Sequence, residues 1–156
     1  MLIRFFAVFL LFLAAIIAAG VSGLTFRLWP TAIQDRPVAL TPAMLQQLRD
    51  LQAEHKFTLD TRSFYPGAVN ETQRATAQAA VDAAIGRLLS ELPQRPQRST
   101  VLAILKQTLA GFALSESEER DQLLIYFGRI LETCQIEHAS ELFNVWRYGF
   151  PYGWLA

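Results

Sequence analysis

Residues 70–92 read NETQRATAQAAVDAAIGRLLSEL, and this stretch decides the fold class. Its alanine content favours a helix over a strand. Its large apolar side chains recur at helical spacing and form one stripe, made of Val81, Ile85, Leu88, Leu89 and Leu92. Pro93 and Pro96 then stop the pattern, because proline cannot continue a helix. The sequence therefore predicts a helix from about Asn70 to Leu92.

Four more segments of the chain carry helix-start signals followed by apolar stripes. The first starts at Thr41-Pro42, where threonine caps a helix and proline fits its first position. The others are predicted to start at Ser99 or Thr100, at a capping box formed by Ser115–Glu118, and at Ser140-Glu141. No segment after the N-terminus shows sustained strand alternation. We predict an all-α fold, a compact bundle of about five helices.

The N-terminal segment is apolar throughout. Residues 5–26 read FFAVFLLFLAAIIAAGVSGLTF and contain no charged side chain. About 20 such residues cross a bilayer, and a cleaved signal peptide usually has a shorter apolar run. We predict that residues 1–26 form a transmembrane anchor or signal segment, residues 27–40 a juxtamembrane linker, and residues 41–156 the helical domain.

The short head before the apolar run decides the predicted location, because the flanking charges, Arg4 on one side and Arg27 and Arg36 on the other, hardly discriminate between the two orientations. Only Arg4 precedes the apolar run, and such a short head usually stays in the cytoplasm. We predict a single-pass protein of the bacterial inner membrane with a periplasmic domain, or a secreted or periplasmic protein after signal cleavage. The single cysteine, Cys134, cannot form an intramolecular disulfide and does not identify the compartment.

The overall composition excludes two classes of protein. Hydrophobic residues make up 52% of the chain, charged residues 18%, and the net charge is zero. This is too apolar for a disordered chain and too neutral for a nucleic-acid-binding protein. The basic residues near the centre are expected to be a solvated loop, since no aromatic residues lie between them: Arg87, Arg95, Arg98 and Lys106.

Two polar clusters are candidates for chemistry. The acidic cluster Glu116, Glu118, Glu119 and Asp121 could support acid–base catalysis, yet it lies in the predicted first turns of a helix, where negative charge is stabilising. Glu137, His138 and Glu141 lack the spacing of a metal site. Signatures for phosphate or dinucleotide binding and for hydrolases are absent from the sequence. We predict no catalytic residues, no metal and no cofactor.

Residues 144–154 read NVWRYGFPYGW. This aromatic-rich stretch could be a binding tail or part of the hydrophobic core. Trp146 follows Leu142 by one helical turn, and Gly149 permits the left-handed conformation that ends a helix. We predict that Trp146 and Phe150 are buried. The remaining aromatic residues are less constrained and are expected outside the core: Tyr148, Tyr152 and Trp154.

The same chain resembles a known family. The motif Phe64-Tyr65-Pro66-Gly67 has the Pro-Gly pair of a type II turn. It is followed, in order, by residues 116–121 (ESEERD), by Ile136-Glu137 and by residues 146–150 (WRYGF). This series is similar to a bacterial family of small all-helical domains of unknown function, number 4844, over about residues 41–150. The resemblance implies a compact helical fold, and it supplies no catalytic residues or ligands.

The functional hypothesis is a membrane-tethered, non-catalytic module that binds a protein partner and not nucleic acid. An immunity or inhibitor protein against a cell-envelope toxin is one alternative. An enzyme that uses the acidic cluster near Glu118 is another. The candidate structural or interaction residues lie in the two aromatic motifs: Tyr65, Pro66, Gly67, Trp146, Tyr148, Gly149 and Phe150.

Overall fold

The fold is all-helical in the computed structural model, which describes residues 2–113, 115–137 and 139–149, and the side chains of these except Leu2, Ile3, Phe5 and Ser140. This range contains six helices and no strand, which confirms the predicted fold class. The helices are α1 (Leu2–Leu28), α2 (Pro42–Ala53), α3 (Glu71–Glu91), α4 (Arg98–Gly111), α5 (Ser117–Thr133) and α6 (Ser140–Tyr148).

The chain divides into two compact units. One contains α1 and α6, which pack against each other. The other spans Thr31–Ala139 and contains α2 to α5, where α3 packs against α2 and α4, and α2 also contacts α5. The last helix is therefore grouped with the first, whereas the sequence analysis placed it in a domain that begins at residue 41. We describe the two units separately.

The helix starts agree with the predicted positions at two places and differ at two others. Thr41 and Asn70 accept hydrogen bonds from the backbone N–H groups of Met44 and Gln73, at 3.0 and 2.9 Å. The N-cap of α5 is Glu116, not Ser115, and its side chain makes no cap hydrogen bond. The predicted capping box is thus wrong by one residue. The N-cap of α4, Gln97, also makes no side-chain cap hydrogen bond.

The cap of α4 comes from a distant part of the chain. Asp35 accepts hydrogen bonds from the backbone N–H of Ser99 at 2.8 Å and from its hydroxyl at 2.7 Å. The backbone pairs nearby, because Val38 donates to the carbonyl of Pro96 at 2.8 Å. The predicted linker is therefore part of the four-helix unit from Thr31 onward. Helix α4 begins with its first turn held by this segment.

The basic residues near α4 do not form one solvated loop. Arg98 is buried, and its guanidinium donates to the carbonyl of Ile33 at 3.1 Å. Arg87 and Arg95 are more exposed and form ion pairs with Glu91. The prediction of a solvated loop is wrong for Arg98, because the docked segment before α2 covers it.

The predicted apolar stripes form the core of the four-helix unit. Val81, Ile85, Leu88 and Leu92 are fully buried along α3, whereas Leu89 is partly exposed. The stripes of α4 and α5 are buried at every predicted position: Val101, Leu102, Leu105, Leu109, Phe112, Leu123, Phe127, Ile130, Leu131 and Cys134. Periodic burial of this kind is what stabilises helices in a small domain.

Helix α1 leaves its apolar side chains exposed. The segment Phe6–Leu28 is long and apolar enough to cross a membrane or to be a signal sequence. None of its most apolar 18-residue window is buried inside the protein, so these side chains would contact water if no membrane surrounded them. This agrees with the predicted anchor or signal segment.

Helix α6 ends as predicted. Trp146 is buried with 7% of its surface exposed, and Tyr148 is exposed. Gly149 has a φ of +73°, and its N–H donates to the carbonyl of Val145 at 3.0 Å. A methyl group on Gly149 would lie 2.6 Å from the hydroxyl oxygen of Ser22 in α1, so the glycine also permits a close approach. The predictions for Phe150, Tyr152 and Trp154 lie outside the described residues.

Candidate functional site

The segment between α2 and α3 folds into a tight turn. The backbones of Asp60 and Tyr65 exchange two hydrogen bonds of 2.9 Å. Asp60 also accepts from the backbone N–H of Arg62, and the hydroxyl of Ser63 lies 3.0 Å from both Asp60 and Gln122 of α5. These bonds fix the start of the Tyr-Pro-Gly motif against the four-helix unit.

The glycine of that motif has the predicted conformation. Gly67 has a φ of +92°, which is the conformation that the third position of a type II turn requires. A side chain there would also press on the backbone of Leu59, 3.3 Å away. The turn places Tyr65 inside the unit and leaves Phe64 almost fully exposed.

Tyr65 belongs to a buried aromatic cluster centred on Phe57. The ring of Phe57 stacks on Phe112 and meets Tyr126 and Tyr65 edge-on, with centroid distances of 6.1, 5.2 and 6.4 Å. Phe57 has a φ of +58°, which is a strained conformation for an aromatic residue. Its backbone N–H donates to the hydroxyl of Tyr126 at 3.0 Å, so this buried donor has an acceptor. The cluster holds the α2–α3 connection against α4 and α5.

Next to this cluster lies a fully buried cation with acceptors around it. Lys56 is 0% exposed. Its ammonium donates to the carbonyls of Gln52 and Glu54 at 3.0 Å each and to the carboxylate of Asp82 at 2.7 Å. The carbonyl acceptors lie at the end of α2, where helix carbonyls lack internal partners. Lys56 therefore joins α2 to α3.

A groove of about 600 Å³ runs along α3 in the same unit. Its lining extends on α3 from Thr72 to Arg87, or about 22 Å at 1.5 Å per residue. Small side chains of α3 leave this space open, and they are Ala77, Ala80, Ala83 and Ala84. The lining continues along the end of α4 and the start of α5 through Gln107, Thr108, Gly111, Phe112, Ser115, Glu116 and Glu119. The result is an apolar floor with polar and charged edges.

Glu119 is the unusual residue of this groove. Only 7% of its surface is exposed, and its Oε1 has no hydrogen-bond partner in the part of the chain that the structure describes. Burial raises the pKa of its carboxyl group above the ordinary value, and the neighbouring charge of Glu116 adds to this. A buried carboxylate without a partner is unfavourable for folding. Glu119 is thus a buried acid whose charge the described residues do not compensate.

Tyr65 carries a second buried polar group. Its hydroxyl is buried and has no hydrogen-bond partner among the described residues. Burial, followed by the charge of Glu119, raises the pKa of Tyr65 to about 12. The side chain consequently stays a neutral phenol at physiological pH. Phe112 belongs to both the aromatic cluster and the groove lining, so the two features adjoin.

The structure separates the candidate residues predicted from the sequence. Tyr65, Pro66 and Gly67 lie in the four-helix unit, and Trp146, Tyr148 and Gly149 lie in the other unit with α1. Phe150 lies outside the described residues. The sequence analysis missed the groove, because it assigned the alanines of α3 only to helix propensity. It also explained the whole acidic cluster as charge at the start of a helix and did not distinguish Glu119, which is the buried member.

In chemical terms, the groove offers binding groups. Hydroxyl and amide side chains can exchange hydrogen bonds, Phe112 offers an aromatic surface, and Glu116 and Glu119 offer negative charge. In the described residues, no group of three His, Cys, Asp or Glu side chains could hold a metal ion. His138, part of the weak cluster noted in the sequence, lies outside that range.

Comparison with known proteins gives one match. The family model described as "Domain of unknown function (DUF4844)" matches residues 39–151 of this chain. The matched range begins just before α2 and leaves α1 outside it. No curated protein and no solved structure matches the chain. The family match confirms the resemblance that the Tyr-Pro-Gly and Trp-x-Tyr-Gly-Phe motifs indicated.

Proposed function

The chain belongs to the DUF4844 family, and from that premise we propose that it is a membrane-tethered, non-catalytic module that binds a short segment of a partner protein in its groove. The observation that carries this proposal is the alanine floor between Thr72 and Arg87. Large apolar side chains fill the core of the four-helix unit. The groove differs from this close packing, because it is an open apolar surface with polar edges, which is typical of a ligand-binding site.

The dimensions and charge of the groove favour a peptide segment as its occupant. A length of about 22 Å corresponds to six or seven residues of extended chain, at roughly 3.3 Å per residue. The carboxylates of Glu116 and Glu119 at the start of α5 complement a segment with a basic residue. An immunity or inhibitor protein is the version of this proposal in which the partner is a toxin.

A matched pair of variants on α3 tests the groove. Ala79 and Ala83 are both exposed on α3, and only Ala83 belongs to the groove lining. Ala83→Leu therefore adds a large side chain to the groove, and Ala79→Leu adds the same side chain outside it. Leucine is a good helix former, so both variants should keep α3 intact. A photo-crosslinking amino acid at position 83 of the full chain identifies the partner segment in cells. A synthetic peptide of that segment is then titrated onto the full chain in detergent micelles.

We expect the Ala83→Leu variant to bind this peptide at least about tenfold more weakly than wild type, because the side chain occupies the space that the peptide needs. Ala79→Leu should bind it like wild type. Equal binding by both variants would contradict the groove as the binding site. A position-83 probe that gives no adduct in any growth condition, while a position-79 probe does, would also contradict it.

The tether is the second part of the proposal. We propose that α1 stays attached and spans a bacterial inner membrane, with the family domain on the periplasmic side, since its apolar surface is exposed along its length. Full-length protein should remain in the membrane pellet after an alkaline carbonate wash. A reporter fused after Ala156 should be active only in the periplasm. A soluble product that begins near Leu24, or a cytoplasmically active reporter, would contradict the tether or its orientation.

A further inference from the structure

Among the described residues, the groove lining contains three charged side chains, of which one is a cation, Arg87. Arg87 donates from Nε to Glu91 at 3.0 Å and from a terminal nitrogen to the amide oxygen of Gln107. That guanidinium is already bound within the protein. Glu116 and Glu119 are the lining acids, and Glu119 is the one that the protein buries.

The buried carboxylate needs a donor that the described residues do not supply. Its Oε1 is enclosed without a hydrogen bond, and the phenolic oxygen of Tyr65 close by is enclosed without one as well. A neutral donor would satisfy one lone pair of the Glu119 carboxylate and leave its negative charge uncompensated. A cation satisfies the hydrogen-bonding need and also neutralises the charge, and charge-assisted hydrogen bonds are the stronger kind.

This inference rests on the proposed function, because it names what the groove recognises in its occupant. We propose that Glu119 binds a basic side chain of the partner segment, either a lysine ammonium or an arginine guanidinium. The apolar stem of such a side chain packs on the alanine floor, as the stems of long basic residues do on apolar surfaces. Phe112, also in the lining, adds to the apolar surface available to that stem.

The proposal can be tested with small probes before any partner is known. Nα-acetyl-lysine methylamide and Nα-acetyl-arginine methylamide are titrated onto the full chain in detergent micelles at neutral pH. Nα-acetyl-norleucine methylamide is the control, because it has an apolar chain of similar length and no charge. In proteins that retain Glu119, the readout is the chemical shift of its side-chain carboxyl carbon, assigned by its loss in Glu119→Gln. The backbone amide shift of Gly111 in the groove lining measures binding in every variant, including Glu119→Gln.

We expect at least one basic probe to move the Glu119 signal and the norleucine probe not to. Glu119→Gln should weaken binding of that probe by about 10- to 100-fold, which is the usual contribution of a hydrogen bond to a charged group. Glu118→Gln, an exposed neighbour outside the groove lining, should change it less than about twofold. Equal shifts with norleucine, or unchanged binding by Glu119→Gln, would overturn the proposal.

Binding of the partner peptide by the variants distinguishes this proposal from the groove proposal. If Ala83→Leu blocks the peptide and Glu119→Gln does not, the groove is the binding site and the role of Glu119 is wrong. If the basic probes bind at Glu119 while Ala83→Leu leaves peptide binding unchanged, the cation site is supported and the groove proposal is wrong. Loss of peptide binding in both variants, with Ala79→Leu and Glu118→Gln unaffected, supports both.

Discussion

Lys56 and Glu119 are both charged side chains buried in the four-helix unit, and they differ in what surrounds the charge. The ammonium of Lys56 has three oxygen acceptors within 3.0 Å. The carboxylate of Glu119 has an enclosed oxygen with no donor among the described residues. A buried charge with partners is a structural element, since removing it exposes unmet hydrogen-bonding groups. A buried charge without partners is a cost that a binding role can explain.

The difference has a local cause. Lys56 lies just beyond the end of α2, where unpaired helix carbonyls supply acceptors. Glu119 is the third residue of α5, the position from which an acid in a capping box reaches back to the N-cap backbone. Here the N-cap is Glu116, and the side chain of Glu119 turns inward without that bond. The helix dipole still favours negative charge at this end.

The largest loss of stability is expected when the buried cation is removed. Lys56→Met leaves Asp82 and the carbonyl groups of Gln52 and Glu54 without their donor, so we expect it to destabilise the unit by about 3 kcal/mol. Chemical denaturation of the full chain in micelles measures this. Arg49→Met, at an exposed position of α2, should change stability by less than about 0.5 kcal/mol. Equal stability of the two variants would contradict the structural role of Lys56.

The next prediction compares the stability lost when either of two tyrosine hydroxyls in the aromatic cluster is removed. Tyr126→Phe removes the acceptor of the buried Phe57 N–H and should cost about 1–3 kcal/mol. Tyr65→Phe removes a hydroxyl that has no partner among the described residues, so it should cost less than about 0.5 kcal/mol or be slightly stabilising. The same denaturation assay distinguishes them. Equal losses would mean that the hydroxyl of Tyr65 is hydrogen-bonded in solution.

The smallest effect is a pH-dependent gain in stability. Because the pKa of Glu119 is raised in the folded protein, its charged form is disfavoured there. The penalty is absent below the ordinary pKa of glutamate and grows as the pH rises through the folded-state pKa. Glu119→Gln should therefore unfold at a higher temperature than wild type at neutral pH and lose this advantage in acid. Parallel pH profiles of wild type and Glu119→Gln would contradict the prediction.

The sequence predicted the helices well because their signals are local. Thr41, Asn70 and Gly149 mark helix ends through their own side chain or backbone, and each acts as predicted. The cap of α4 by Asp35 joins residues 64 positions apart, so no local pattern announces it. The one-residue error at Ser115 arose because Ser115 and Glu118 satisfy the capping pattern, whereas the observed N-cap, Glu116, is not a residue type that the pattern includes.

The groove could not be predicted from the sequence, because it also depends on residues that are distant from one another along the chain. Alanine on α3 is equally consistent with helix propensity and with a groove, and only the neighbouring positions of α4 and α5 decide between them. Within the acidic cluster, adjacent residues differ completely in exposure, since Glu118 is exposed and Glu119 is buried. One residue along a helix rotates the side chain by about 100°, so the register of α5 selects which acid faces inward.

The most direct test of the account is the pKa of Glu119 in the full chain, measured by NMR titration of its side-chain carboxyl carbon, with Glu119→Gln for assignment. The account predicts a pKa above the ordinary glutamate value in the protein alone, because the carboxylate is buried without a compensating charge. Saturation with the basic probe that binds should lower this pKa, since a cation favours the charged form. A pKa at or below the ordinary value in the protein alone would show that Glu119 already has a partner, and it would contradict the contrast with Lys56.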